Sequence, residues 1–440
     1  MINLRKFIER CDLIIFGALC GMIWFVPISS AGVEWMFGIC LITFLTKRCL
    51  CYRQELADTK TSKLIFSRKN FLSALSYLKP VGNPLNKPIF VLVLVALLSA
   101  IFGVRPYVSI PAIITKLLQD TFTAFFIVET VNSSKRLKII LGFFLASIFM
   151  INIDGMYQYV TQTDFMRGRV MTDGRLSSAF RHPNDFASYL IVVIPILISL
   201  SVVQFLNLKD MKMGFVKFEG FFNSVKFLTI CFILAIVSTI SLGLTYSRAG
   251  WLACGLCLFF LVYKRPKLLA VYCALGILFL GIFTVKMVHE RTTNIGGSYK
   301  NALFNVSDRD NNWREALGMI KKNPVFGVGL NNYTLVATLE KFRRPEYPHN
   351  CYLQITAEMG IVGLIAFIWV LWTLYKVSLI YLRQLKDSLN YHLLLGAMVG
   401  LGAFLVQSFF DTNFYSTQLS ALMWLTVGLI LAIPKIELKN

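Results

Sequence analysis

Charge is scarce in this chain, and negative charge scarcest. Only 15% of the 440 residues are charged, and 44 Lys and Arg outnumber 23 Asp and Glu, for a formal net charge of +21. Against 56% hydrophobic residues and a mean hydropathy of +0.64, that scarcity excludes a soluble globule. Strict polar–apolar alternation is missing from the apolar runs, which excludes a membrane barrel. Cysteine is nearly missing from the polar segments. The ten cysteines fall mostly inside apolar runs or, as Cys49 and Cys51, at the start of a basic segment, and only Cys351 lies close to an outer loop. No disulfide framework is indicated, and Cys254-x-x-Cys257, within an apolar run, reads as packing. The basic excess is not the footprint of a nucleic-acid protein, because most of it falls in segments that orientation rules place on one side of a membrane.

What is present is a repeated run of about 17 to 22 apolar residues, the length a helix needs to cross a bilayer. Twelve such runs are expected, at 11–28, 31–46, 87–103, 109–131, 138–153, 184–206, 226–245, 249–263, 268–288, 354–382, 391–410 and 417–434. The fold class is an all-α polytopic membrane protein. The first run, ending near "VPISSAG", is followed at once by a second and reads as an uncleaved first helix. The long basic segment 47–86, placed in the cytoplasm, puts both termini there together with "SSKRLK", "YKRPK" and "YLRQLK". Two large loops are left outside, 154–183 and 289–353, and the tight turn "LTYSRAGW" joins the seventh and eighth runs. The organisation is therefore 1–288 with nine helices, 289–353 as the large outer loop, and 354–440 with three more helices.

The outer segments hold the chemistry. "SDRDNNWREALGMIKKNPVFGVGLNNY" reads as a helix capped by Asp308, with Trp313, Leu317 and Ile320 as its apolar stripe, ended by Asn323 and Pro324. Arg309 stands in its first turn and Arg314 five residues on. Asp308-Arg309-Asp310 is also an Asp-x-Asp, a pattern that can hold a divalent metal, but capping accounts for Asp308 without one; no metal and no cofactor are expected. Arg248 ends a run of about twenty apolar residues in a hairpin tip too short to hide a permanent cation, which places it at the rim of a cavity or at the interface. The other loop carries Arg167, Arg169, Arg175 and Arg181 against Asp164, Asp173 and Asp185, and Asn184 or Asp185 is the expected cap of the sixth helix.

Arginine forks match phosphate oxygens and do not titrate away. A polyprenyl diphosphate bearing a glycan fits such a rim: its tail stays in lipid, its diphosphate lies at the interface, and its sugar extends into water. Diphosphate leaves without a general acid once neutralised, so the one group still needed is a base. Of the four histidines, His392 is expected on the cytosolic side, while His182 and His289 lie outside in ordinary settings. His349 stands at the outer mouth of the tenth helix, level with the arginines, and suits a base near neutrality worth roughly 10²–10⁴-fold. Glu358, nine residues further on, is expected to orient His349 or to pair with a buried cation, and Lys116 with Asp120 to form a structural ion pair.

In order and spacing, "RLSSAFRHPNDFASYL", "LTYSRAGWLA", "RDNNWREALGMIKKNPVFGVGLNNY" and "HNCYLQITAEMGIVGLIAF" resemble the blocks of the O-antigen ligase and O-antigen polymerase superfamily, over roughly residues 170 to 370. The resemblance implies a GT-C-like architecture of about twelve helices in a bacterial inner membrane, with a large, partly helical periplasmic loop after the ninth. It implies a metal-independent, inverting transfer of glycan from undecaprenyl diphosphate to an acceptor; the leading reading takes a lipid A–core sugar hydroxyl as that acceptor, whose identity the motifs do not spell out. It implies His349, followed by Asn350 in the "HN" block, as base, and Arg248 and Arg309, the latter before Trp313, as diphosphate ligands. A loop arginine of the family maps to Arg175 or Arg181. Polymerisation of repeat units is the alternative of the same chemistry. A solute or anion transporter is the alternative of another class, disfavoured because few ionisable residues lie near mid-bilayer.

Overall fold

The computed structural model describes residues 2–58, 82–203, 225–263, 266–295, 307–340, 342, 346–385 and 388–437. Among the described residues a helix overlaps each of the twelve expected runs. These helices are α1 (Ile2–Phe25), α2 (Ser30–Asp58), α3 (Asn86–Phe102), α4 (Pro106–Thr130), α5 (Ser134–Thr161), α6 (Pro183–Ile198), α7 (Val225–Leu244), α8 (Arg248–Val262), α9 (Pro266–Ile295), α12 (Cys351–Gln384), α13 (Leu389–Gln407) and α14 (Thr417–Glu437), while α10 (Ser307–Lys322) and α11 (Tyr333–Leu339) lie between α9 and α12. Eight are long and apolar enough to cross a membrane, and 86–102, 248–262 and 269–285 are shorter apolar helices. Among the described residues there are no strands, only two isolated bridges in the 162–175 loop.

Helix α6 is the centre of the bundle. Every residue from Phe186 to Leu197 is buried, and α7, α8 and α13 pack around it. Contact with α13 is close because Gly400 has no side chain: a Cβ there would stand 2.4 Å from the carbonyl oxygen of Val192. Helix α14 packs on α4, α12 on α3, and α1 on α2. On the outside, α9 exposes Leu275, Ile277, Leu278 and Val285, as lipid contact requires.

One end of the bundle is tied by an ion network from four helices. Lys47 on α2 reaches Asp12 on α1 and Glu129 on α4, both at 2.9 Å; Arg48 reaches Glu129 at 2.5 Å, and Arg136 on α5 reaches Asp12 at 2.6 Å. The expected Lys116–Asp120 contact is not made: Lys116 Nζ donates to Asn331 Oδ1 at 2.8 Å, and Asp120 accepts from the Ser420 hydroxyl. A π-helical stretch at Ile113–Leu118, following Pro111, alters the register between these residues and sends the two side chains to different partners.

Candidate functional site

The opposite end gathers the polar loops. Helix α5 runs to Thr161, eight residues past its expected end, because the polar side chains on its last turns face inward and organise the following loop. Asp154 accepts from the backbone N–H of Phe165 and Met166 and from the Ser178 hydroxyl. One turn on, Gln158 Oε1 accepts from the N–H of Ser177 and Ser178, while its Nε2 donates to the carbonyl of Arg169. Asp164 closes the tip by accepting from the N–H of Arg167 and Arg169.

The loop is stapled to the Arg248 turn. Leu176 N–H donates to the carbonyl of Leu244, and Arg175 Nε donates to that of Thr245 at 2.9 Å. The same guanidinium donates to Asn184 Oδ1 at 2.8 Å, so Arg175 braces two loops. In the turn, Ser247 caps α8 through the N–H of Gly250, and Trp251 Nε1 donates back to the carbonyl of Leu242. Arg248 is exposed at the first position of α8. The cap of α6 is His182, not Asn184 or Asp185, since Pro183 fixes the first helical position. Asp185 falls at the third position and accepts from the N–H of His182.

His349 lies immediately before α12, in the left-handed region at φ 49°, a conformation that costs roughly 1–2 kcal/mol. Asn350 caps α12, accepting from the N–H of Tyr352 and Leu353 at 3.0 Å. The imidazole is 39% exposed, and its Nδ1 stands 3.4 Å from Oδ1 of Asp411, which is only 14% exposed. Asp411 sits in the short polar turn between α13 and α14. Cys351 fixes that turn, donating its N–H to the carbonyl of Ser408 and its thiol to that of Asp411. Asn413 ties it to α6 by accepting from the Ser188 hydroxyl at 3.1 Å. Sequence reasoning passed over Asp411. The available signal was a lone acid in a polar interval on the same side as His349.

Around this pair, Asp411 lies within electrostatic reach of Asp185 and His182, as do Arg169 and Arg181. Crowding by the surrounding chain, and then Arg181, push the His182 imidazole below its ordinary range, so it is neutral at pH 7. Arg248, Arg175, Arg181, Asp411 and His349 thus belong to loops that meet at one end of the bundle.

Glu358 does not orient His349. It is fully buried, and its Oε2 accepts from the Tyr415 hydroxyl at 2.7 Å, while Oε1 receives the N–H of Tyr333 and Gln354 Nε2, each at 3.4 Å. Lys116 acts on Glu358 through space, while its Nζ donates to Asn331 Oδ1. The ring of Tyr415 packs at a tilt against that of Tyr347, centroids 5.6 Å apart, two residues from His349. Next to Glu358, α12 is broken at Gly360 (φ 70°, ψ −177°). The segment 324–329 fills the break: Val328 and Gly329 donate to the carbonyls of Ala357 and Glu358, and Ile361 donates to that of Pro324, all at 2.9 Å.

Helix α10 rests on α12 by another face than expected. Asn312, Ala316 and Met319 are buried, whereas Leu317 is 53% exposed and Trp313 and Ile320 are half-buried. The small Ala316 lets α10 come close to Ala357, which rotates the contact by about one residue. Arg314 is exposed. The helix begins at Ser307, one residue before the expected cap; the side chains of Asp308, Arg309 and Asp310 lie outside the described residues, as does that of His289. Among the described residues no three His, Cys, Asp or Glu side chains are grouped to hold a metal, and Cys254 and Cys257 are free, buried thiols.

Fold and site define an all-α polytopic membrane protein with a polar, histidine-containing site at one end. Residues 233–368 match the family described as O-Antigen ligase, so the chain carries an O-antigen ligase-type segment. That segment spans Arg248, Arg309, His349 and Glu358; Arg175, Arg181, Asp185 and Asp411 lie outside it. No curated protein matches the chain.

Proposed function

We propose that this protein is a bacterial inner-membrane glycosyltransferase that moves a glycan from undecaprenyl diphosphate to a sugar hydroxyl of lipid A–core. The proposed orientation puts both termini and the ion network in the cytoplasm and the His349 end in the periplasm, following the basic residues. The observation that carries the reading is the His349–Asp411 pair, at the same end of the bundle as the Arg248 turn, in a chain with an O-antigen ligase family segment.

In this mechanism Asp411 accepts the Nδ1 proton of His349 and leaves the Nε2 lone pair for the acceptor hydroxyl. Nε2 of His349 takes the hydroxyl's proton as the alcohol oxygen attacks the anomeric carbon, while the Nδ1 proton stays on the ring, hydrogen-bonded to Asp411. The bond from that carbon to the diphosphate breaks, undecaprenyl diphosphate departs with the electron pair, and the carbon inverts. Arg248 and Arg309 neutralise the leaving group. Arg175, committed to Thr245 and Asn184, supports the turn that carries Arg248.

The test is transfer in a reconstituted system of purified protein, undecaprenyl-diphosphate-linked glycan and lipid A–core. His349→Ala should bind donor normally and lose roughly 10²–10⁴-fold in turnover; unchanged turnover removes the mechanism. In a deletion strain, loss of all long lipopolysaccharide bands with the lipid-linked polymer retained supports ligation. A core bearing a single repeat assigns polymerisation instead.

A further inference from the structure

Asp185 has no part in the chemistry above, yet it stands beside it. Ser188, three residues further along the same face of α6, donates to Asn413, two residues from Asp411. The first turn of α6 is thereby laid against the turn that carries Asp411, and the charges of Asp185 and Asp411 act on each other. Arg169 and Arg181 lie within reach of Asp185, and one terminal nitrogen of Arg169 is buried without a hydrogen-bond partner among the described residues.

This wall of the site holds two carboxylates, two guanidinium groups and the neutral His182. A diphosphate set there would meet two acidic side chains that cannot donate to it as carboxylates, whereas a neutral polyol suits them: sugar hydroxyls donate to carboxylates and accept from guanidinium N–H. The donor's phosphates therefore belong on the Arg248 side, and a sugar on this one.

We propose that Asp185, beside Asp411, binds the acceptor sugar through a hydroxyl next to the one His349 activates, so that the His182–Asp185 turn is the acceptor subsite. Arg181 then serves the acceptor by holding Asp185, rather than the donor diphosphate. The proposal rests on the transferase reading and identifies the place of its second substrate.

The test is steady-state transfer by purified protein, with undecaprenyl-diphosphate-linked glycan and lipid A–core varied separately. Asp185→Asn keeps a side-chain oxygen for the His182 N–H and should raise the acceptor KM about 10-fold or more, with the donor KM unchanged. Arg181→Gln should raise the acceptor KM in the same sense. An acceptor lacking the neighbouring hydroxyl should impose the same penalty on the wild-type protein and little more on Asp185→Asn, because both changes remove one contact. Additive penalties, or a rise in the donor KM alone, overturn the subsite while leaving the transferase intact. Wild-type protein that transfers to no sugar acceptor overturns the transferase reading, and the subsite with it. Asp185→Glu and the size-exclusion profile of each variant separate loss of a contact from loss of fold: a well-folded Asp185→Asn with an unchanged acceptor KM ends the proposal.

Discussion

Nδ1 of His349 stands 3.4 Å from Oδ1 of Asp411, a contact made across 62 residues of chain between the start of α12 and the turn that follows α13. Asp411 is held on three sides, by the N–H of Thr412, the thiol of Cys351 and the Asn413–Ser188 contact. A carboxylate so fixed can choose the imidazole tautomer.

Asp411→Asn should therefore lower turnover about 10²-fold or more while donor binding persists, since the amide keeps the shape but not the charge that stabilises an imidazolium. Single-turnover transfer beside a donor-binding assay separates the two effects. Full turnover would leave Asp411 a structural residue.

Arg248→Ala should raise the donor KM about 10- to 100-fold, the usual loss for a charged hydrogen-bond partner. Arg248→Lys should recover part of it, because the charge returns without the fork. An alanine variant with unaltered donor kinetics would take Arg248 out of the phosphate site.

Gly360→Ala tests the break in α12. A Cβ would sit 1.8 Å from the carbonyl oxygen of Val325, at a backbone φ of 70°. Strain and overpacking together should cost roughly 3 kcal/mol or more, read as a lower Tm in detergent and less protein in the membrane. Gly142→Ala, with open space around the site, is the control and should be neutral or slightly stabilising.

Chelation should leave transfer intact, because a histidine base and arginine clamps need no Lewis acid. Activity lost to EDTA and restored by Mg²⁺ or Mn²⁺ would bring Asp308 and Asp310 in as ligands.

The helices were legible because a membrane run is a local pattern: among the described residues a helix overlaps each expected run. Their ends were less so. Asp154 and Gln158 read as loop residues by hydropathy, but they are the side chains that hold the loop from within α5. His349 and Arg248 stood out as rare residue types at abrupt polar–apolar junctions. Asp411 and Asp185 did not, because each earns its place through a partner far away in sequence. The same holds for Asp12 and Glu129, which the sequence offers no reason to join to Lys47, Arg48 and Arg136. Glu358 was legible as a buried acid, but its partner Tyr415 was not.

Because the peptide groups of 324–329 complete the hydrogen bonding of α12 where it is interrupted, the 307–340 insert and the membrane helix form one unit. Exchange of 307–340 for a stretch of another shape would take the Val328 N–H from the carbonyl of Ala357 and leave that of Glu358 with the Ser99 hydroxyl alone. Any recombination that alters this loop must carry the first turns of α12 along with it, and the histidine travels in the same piece.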